Sequence, residues 1–115
     1  MKRLAALLLM LLACAAARTE EPGGRVPANA ESIATGRSLY IQNCQVCHGR
    51  RGKGDGDAAS DLTRRPTNLT KLAKWSDAEL FAGIAHGKKD MPKSENLLSI
   101  EQHWHLVNFI RTFAR

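Results

Sequence analysis

Cys44-Gln45-Val46-Cys47-His48 is the stretch from which the fold follows. Two cysteines three positions apart on a helical turn present both thiols on one face. The histidine that follows at once can swing its imidazole under whatever those thiols hold. C-x-x-C-H is the sequence signal for covalent haem attachment, with the thiols on two vinyl groups and the imidazole on the iron. Other uses of paired cysteines fit less well. A structural zinc site needs four ligands, commonly a second cysteine pair, and the third cysteine of the chain is Cys14, far upstream. A thioredoxin-like redox pair expects a βαβ setting, which the surrounding pattern lacks. A plain Cys44–Cys47 disulfide would leave His48 without a role.

On the N-terminal side, Glu31 to about Cys47 reads as helix, with Ile33, Gly36 or Arg37, Tyr40 and Ile41 at steps of three and four. Gly36 is costly inside a helix, and close approach of another helix would explain it. On the C-terminal side, residues 49 to 66 read as loop. They carry Gly49, Gly52, Gly54 and Gly56 interleaved with Arg50, Arg51, Lys53, Arg64 and Arg65. A phosphate-cradling loop is not supported, because no Ser or Thr follows Lys53 in the required spacing and no strand precedes the glycines. A calcium loop fails as well: its twelfth position holds Pro66, where a bidentate Glu belongs. The glycines suit a tight chain reversal.

Two further helices announce their starts. Ser76-Asp77-Ala78-Glu79 is a capping box leading into Leu80, Phe81, Ile84 and Ala85, and Gly87 is placed to stop that helix. Ser99-Ile100-Glu101-Gln102 is a second one, leading into Trp104, Val107, Phe109 and Ile110. No run alternates as a strand would. The chain therefore reads as all-α, three main helices joined by long loops around one covalently attached haem. At 115 residues it is a single domain, and its aromatic content of 5% gives a thin core that a large apolar cofactor would complete.

The ends are read separately. Lys2 and Arg3, the apolar run Leu4 to Leu12, and small residues through Ala17 form the layout of a secretory signal peptide, with residues 1–17 removed. Leu11-Leu12-Ala13-Cys14 also matches a bacterial lipobox, in which a lipidated Cys14 would tether the protein to a membrane. Residues 18–30, rich in Pro, Gly and charge, form a flexible linker, and the haem domain spans 31–115. Export to the periplasm is the expectation.

A second axial ligand remains to be found. Met1 and Met10 lie in the leader, so Met91, in a loop before Pro92, is the remaining thioether. His86, His103 and His105 are its rivals. His103 and His105 are two apart on one helix and cannot both face inward; a solvent-facing or capping role suits each histidine. Met opposite His is the ligation associated with a raised potential.

The chain resembles the class I cytochrome c family at Gly36-Arg37-Ser38-Leu39-Tyr40, Cys44 to Gly49, Gly52 to Gly56, Met91-Pro92 and Trp104 to Arg111, in the family's order from Glu31 to Arg115. The resemblance implies the cytochrome c fold, with Gly36 and Tyr40 against the C-terminal helix near Val107 and Phe109. It also implies a loop proline carbonyl, here Pro66, as acceptor for the His48 ring. One-electron transfer is the implied function. Iron closed by His48 and Met91 argues against an enzyme. The alternatives are an electron-accepting haem subunit of a dehydrogenase or oxidase complex, and a gas or redox sensor in which Met91 dissociates. The net charge of +6, with Arg50, Arg51 and Lys53 in one loop and Lys88, Lys89 and Lys93 beside Met91, suggests redox-partner proteins with acidic docking surfaces and not nucleic acid.

Overall fold

The computed structural model describes residues 24–114. The signal-peptide and lipobox readings of residues 1–17, Cys14 included, lie outside the described residues, as does the linker up to residue 23. Four α-helices follow in order: α1 (Ala30–Asn43), α2 (Gln45–His48), α3 (Asp77–His86) and α4 (Ile100–Ile110). Short 3₁₀ turns cover Ala59–Asp61, Leu69–Lys71 and Arg111–Ala114. The first of these falls within the stretch read as pure loop. Among the described residues no strand forms; Lys88 and Met91 make an isolated antiparallel bridge.

The three expected helices are present, and α3 and α4 begin where the capping boxes placed them. Ser76 accepts from the Glu79 N–H while the Glu79 carboxylate accepts from the Ser76 N–H, at 3.1 and 2.7 Å. Ser99 and Gln102 exchange the same pair of bonds. Gly87 ends α3 at φ 61°, a left-handed conformation that glycine adopts without a Cβ penalty. The first helix departs from expectation. It does not run unbroken to Cys47, because Cys44 leaves helical geometry (φ −122°, ψ −36°) and a separate short helix carries Cys47 and His48.

The frame is the crossing of α1 on α4, which is the most extensive helix contact of the described residues. Gly36 makes it possible: a side chain there would overlap the His105 carbonyl and the Phe109 Cβ. Tyr40, one turn on, packs its ring 5.2 Å from Phe109 and 5.3 Å from Phe113 between centroids. The buried face of α1 is therefore Ser32, Gly36, Leu39 and Tyr40, not the set ending in Ile41, which is half exposed. Leu80 and Ile84 of α3 join Trp104, Leu106, Val107 and Ile110 of α4 in one apolar core with Leu69 and Leu72. Phe81 stacks obliquely on Trp104 at 4.7 Å.

Two polar clusters lock this frame. Asn108 of α4 donates to Ser32 Oγ at 2.8 Å and to the Val26 carbonyl at 3.0 Å, and His105 Nδ1 lies 2.8 Å from the same Ser32 oxygen. At the C-terminal boundary of α4, Arg111 donates to Asp77 at 2.6 Å, to the Leu72 carbonyl at 3.1 Å and to the Trp75 carbonyl. Arg25 pairs with the same Asp77 carboxylate. These contacts hold the N-terminus of α3 against the end of α4.

Candidate haem site

α1 delivers Cys44 at its C-terminal boundary, and α2 adds Cys47 and His48 within one turn. Both cysteines are free thiols and partly buried, so the disulfide reading is not supported. Burial, reinforced by the neighbouring Cys47, pushes the Cys44 thiol up to about 11. A neutral thiol in apolar surroundings fits a carbon–sulfur linkage better than a thiolate metal ligand. Among the described residues no group of three or more His, Cys, Asp or Glu could hold a metal ion, which leaves the zinc reading without its remaining ligands.

His48 is buried, and its Nδ1–H donates to the Thr67 carbonyl at 3.0 Å. Thr67, not Pro66, is thus the acceptor. The Pro66 carbonyl instead faces Gly54, where a side chain would collide with it. Burial pulls the imidazole below the ordinary histidine value, and the Thr67 carbonyl acts in the opposite direction. A carbonyl can only accept, so it fixes the proton on Nδ1. Nε2 is left as a bare lone pair with no hydrogen-bond partner among the described residues, the form in which imidazole binds a metal.

The loop between His48 and Thr67 is built to bring that carbonyl into place. Gly49, Gly52 and Gly54 all have positive φ, from 73° to 85°. The Gly54 N–H returns to the His48 carbonyl at 2.8 Å, and Leu69 N–H reaches the Gly52 carbonyl at 2.6 Å. The buried Tyr40 hydroxyl donates to the Gly49 carbonyl at 2.6 Å, tying this loop to the α1–α4 frame.

Cys44, Cys47, His48 and Met91 all line one cavity of about 410 Å³, within the ~300–1,000 Å³ typical of cofactor sites. Leu62, Pro66, Ile84, Leu98 and Leu106 supply apolar wall, and Arg64, Arg65, Lys88, Lys89 and Lys93 supply positive charge. The donor set therefore fits a haem: two free thiols, an imidazole nitrogen without a partner, a thioether and an apolar slot. Arg50, Arg51 and Lys53 line a separate concavity with Ile41 and Val46.

Of the rival histidines, none lines this cavity. His86 is exposed and pairs with Glu95 at 3.2 Å. His105 bonds Ser32 and sits 3.6 Å from Glu101. His103 departs from the solvent-facing or capping role expected of it. It is 2% exposed, bonded through both nitrogens to Ser99 and Ser94. Its inward position was hidden because a histidine interrupts the apolar pattern of α4.

The family model described as cytochrome c oxidase, cbb3-type, subunit III matches residues 31–110. The chain belongs to this cytochrome c family. It is a class I-like monohaem cytochrome with the all-α cytochrome c fold, an electron-transfer protein carrying covalently bound c-type haem. The KustC0563 c-type cytochrome is 30% identical, with a TM-score of 0.59 over 70% of this chain and 98% of that one. Cytochrome CL from the marine methylotrophic bacterium Methylophaga aminisulfidivorans is 26% identical, with a TM-score of 0.56 over 71% of this chain and 55% of that one. A chain of the Kuenenia stuttgartiensis reducing HAO-like protein complex shares the fold at a TM-score of 0.72 and 23% identity, covering 81% of this cytochrome. This cytochrome spans about half the length of that chain (48%). No curated protein matches the sequence.

Proposed function

We propose that this cytochrome is a one-electron carrier whose haem is attached through Cys44 and Cys47 and ligated by His48 and Met91. The observation that carries the reading is the state of His48. Its Nδ1–H is committed to Thr67 and its Nε2 is unpartnered, on the wall of a cavity shared with both cysteines and Met91. The haem supplies reversible Fe(III)/Fe(II) chemistry. Thr67 orients the imidazole and raises its donor strength. The apolar wall from Leu62 to Leu106 lowers the local dielectric, and the thioether of Met91 favours the reduced form. With His48 and Met91 both holding the iron, no position would be left for activating a substrate, so an enzymatic role is not proposed.

The cations around the cavity, Lys88, Lys89 and Lys93 together with Arg64 and Arg65, are exposed. They would steer the protein to acidic surfaces of its redox partners. We place the protein in the periplasm, exported by residues 1–17, with Cys14 as a lipid anchor where the lipobox is used. Among the described residues no helix is long and apolar enough to cross a membrane. A second reading is favoured by the family itself, whose model is that of an oxidase subunit: the chain serves as the electron-accepting haem subunit of a complex. A stable co-purifying partner would select it over a free shuttle.

The test is a visible and near-infrared spectrum with redox titration of the purified holoprotein. Met91 ligation predicts a ferric sulfur-to-iron band that disappears in Met91→Ala, and no carbon monoxide binding to the native ferrous form. A band that survives Met91→Ala rules out Met91, and ready carbon monoxide binding would move the reading to a gas sensor.

A further inference from the structure

The segment that carries Met91 leaves α3 at Gly87 and rejoins the body of the protein at Ser94. Its near end is closed by the paired backbone bonds between Lys88 and Met91, at 3.2 and 3.1 Å. Its far end rests on Ser94. The Ser94 hydroxyl donates to the Ile84 carbonyl at 2.6 Å, and the N–H groups of Ser94 and Glu95 both reach the Ala85 carbonyl at 3.1 Å. The Ser94 carbonyl in turn accepts from the N–H groups of Leu97 and Leu98. Ser94 is thus the junction of α3, the Met91 segment and the turn into α4.

His103 stands behind that junction. Its Nε2 lies 2.7 Å from Ser94 Oγ, and its Nδ1–H donates to the Ser99 carbonyl at 2.6 Å, one turn earlier on α4. Phe81 of α3 packs against the ring at 5.2 Å between centroids. The imidazole is therefore fixed at three points, and a buried polar ring held this way is a rigid support. With the ring proton on Nδ1, Nε2 meets Ser94 as an acceptor, so the one Ser94 hydroxyl proton is shared between the Ile84 carbonyl and Nε2 and the hydroxyl is held between α3 and α4. An apolar residue at position 103 would fill the space beside Phe81 and leave the Ser94 hydroxyl held by α3 alone.

We propose that His103 is a positioning residue for Met91: acting through Ser94, it anchors to α4 the far end of the segment that brings the thioether to the haem cavity. The proposal rests on the reading of Met91 as an axial ligand, and its consequence for the iron is a potential and a sulfur-to-iron band that depend on a side chain outside the cavity.

The experiment uses the holoprotein with Ser94→Ala, His103→Gln, His103→Leu and the double variant Ser94→Ala/His103→Leu. Amide exchange in the reduced protein is expected to quicken at least tenfold at Ser94 and Glu95, while the amides of Tyr40 and Val107 keep wild-type protection. The ferric band weakens and the reduction potential falls in both Ser94→Ala and His103→Leu, and the double variant falls no further than the larger single one, as residues acting in one chain require. His103→Gln, whose side-chain amide can still hydrogen-bond Ser94, recovers part of the shift. Unchanged exchange at Ser94 and Glu95, or additive shifts in the double variant, overturns the proposal. Should His103→Leu yield no holoprotein, Ser94→Ala carries the same readouts, and wild-type values there overturn it equally. A wild-type ferric spectrum without the band, combined with faster exchange in the variants, sinks the axial reading and upholds the anchor. A band with unmoved exchange sinks the anchor alone.

Discussion

Where α1 crosses α4, backbone lies against backbone; between Gly87 and Ser94 the chain meets the rest of the protein at a few polar points. The crossing has no tolerance, because the Gly36 Cα faces the His105 carbonyl with no room for a methyl group. Its neighbours Tyr40, Trp104 and Val107 are almost fully buried. The Met91 segment is half-exposed or exposed from Gly87 to Ser94. It is directed by the left-handed backbone of Gly87 and Lys89 and by the Ser94 junction. The first region fixes where the cysteines and His48 stand. The second brings Met91 to the wall of the same cavity, where, on the ligation proposed above, a small displacement would change the iron and not the fold. Stability and potential should therefore separate by region.

The sharpest challenge to that division is Gly36→Val. Overpacking against a backbone carbonyl should cost stability at the upper end of ~1–3 kcal/mol or beyond, read as a lowered denaturation midpoint of the holoprotein. The reduction potential of the folded fraction should stay near wild type; a large shift would show that the crossing also tunes the iron. Met91→Ala is the converse. The potential should fall by on the order of 0.1 V, a small part of the ~0.8 V that axial ligands span and equal to ~2.3 kcal/mol per electron. Far-ultraviolet helicity should be retained.

Tyr40→Phe probes the point where frame and haem loop meet. Removing the hydroxyl leaves the buried Gly49 carbonyl without its donor, at a cost of about 1–3 kcal/mol. The substitution also carries a pH signature. Burial above all, with the negative charge of Asp55 added, raises the Tyr40 phenol above its ordinary value of 10. The folded state thus keeps a proton that the unfolded chain releases near pH 10. Wild-type stability from this group is complete below that pH and is lost as pH rises through it toward the raised folded value. Tyr40 is the chain's one tyrosine, so the difference between wild type and Tyr40→Phe above pH 10 isolates it; parallel pH curves would dismiss the effect. The smallest change is expected from Ser76→Ala, which removes the α3 cap outside both regions. About 1 kcal/mol of stability should go, with no movement of potential.

The parts of this fold written in local sequence were legible in it. Cys44 to His48, the two capping boxes and the stop at Gly87 each depend on residues within a turn of one another. Gly36 was legible for a related reason: an interior helical glycine is costly enough to imply a neighbour. The misreadings concern contacts between distant segments. The His48 acceptor is one residue beyond Pro66, because the path of the loop is set by three left-handed glycines whose combined rotation no motif specifies. Ile41 matched a helical face, but Ser32, Gly36 and Leu39 took that face once α4 had chosen its contact. His103 looked polar and hence outward. Its partners Ser94 and Ser99 are visible in the sequence, yet only the return of the Met91 segment brings Ser94 to the ring.

The crossing of Gly36 on His105 also imposes an order in time. It joins positions nearly seventy residues apart, so α1 finds its seat only after α4 has been synthesised. Until then Leu106 of α4 is not in place on the wall of the cavity that Cys44, Cys47 and His48 share. A helix that seats last leaves the cofactor its widest access after export and before the α1–α4 crossing closes, so Gly36→Val, which hinders that closure, should prolong the interval in which the haem can be attached.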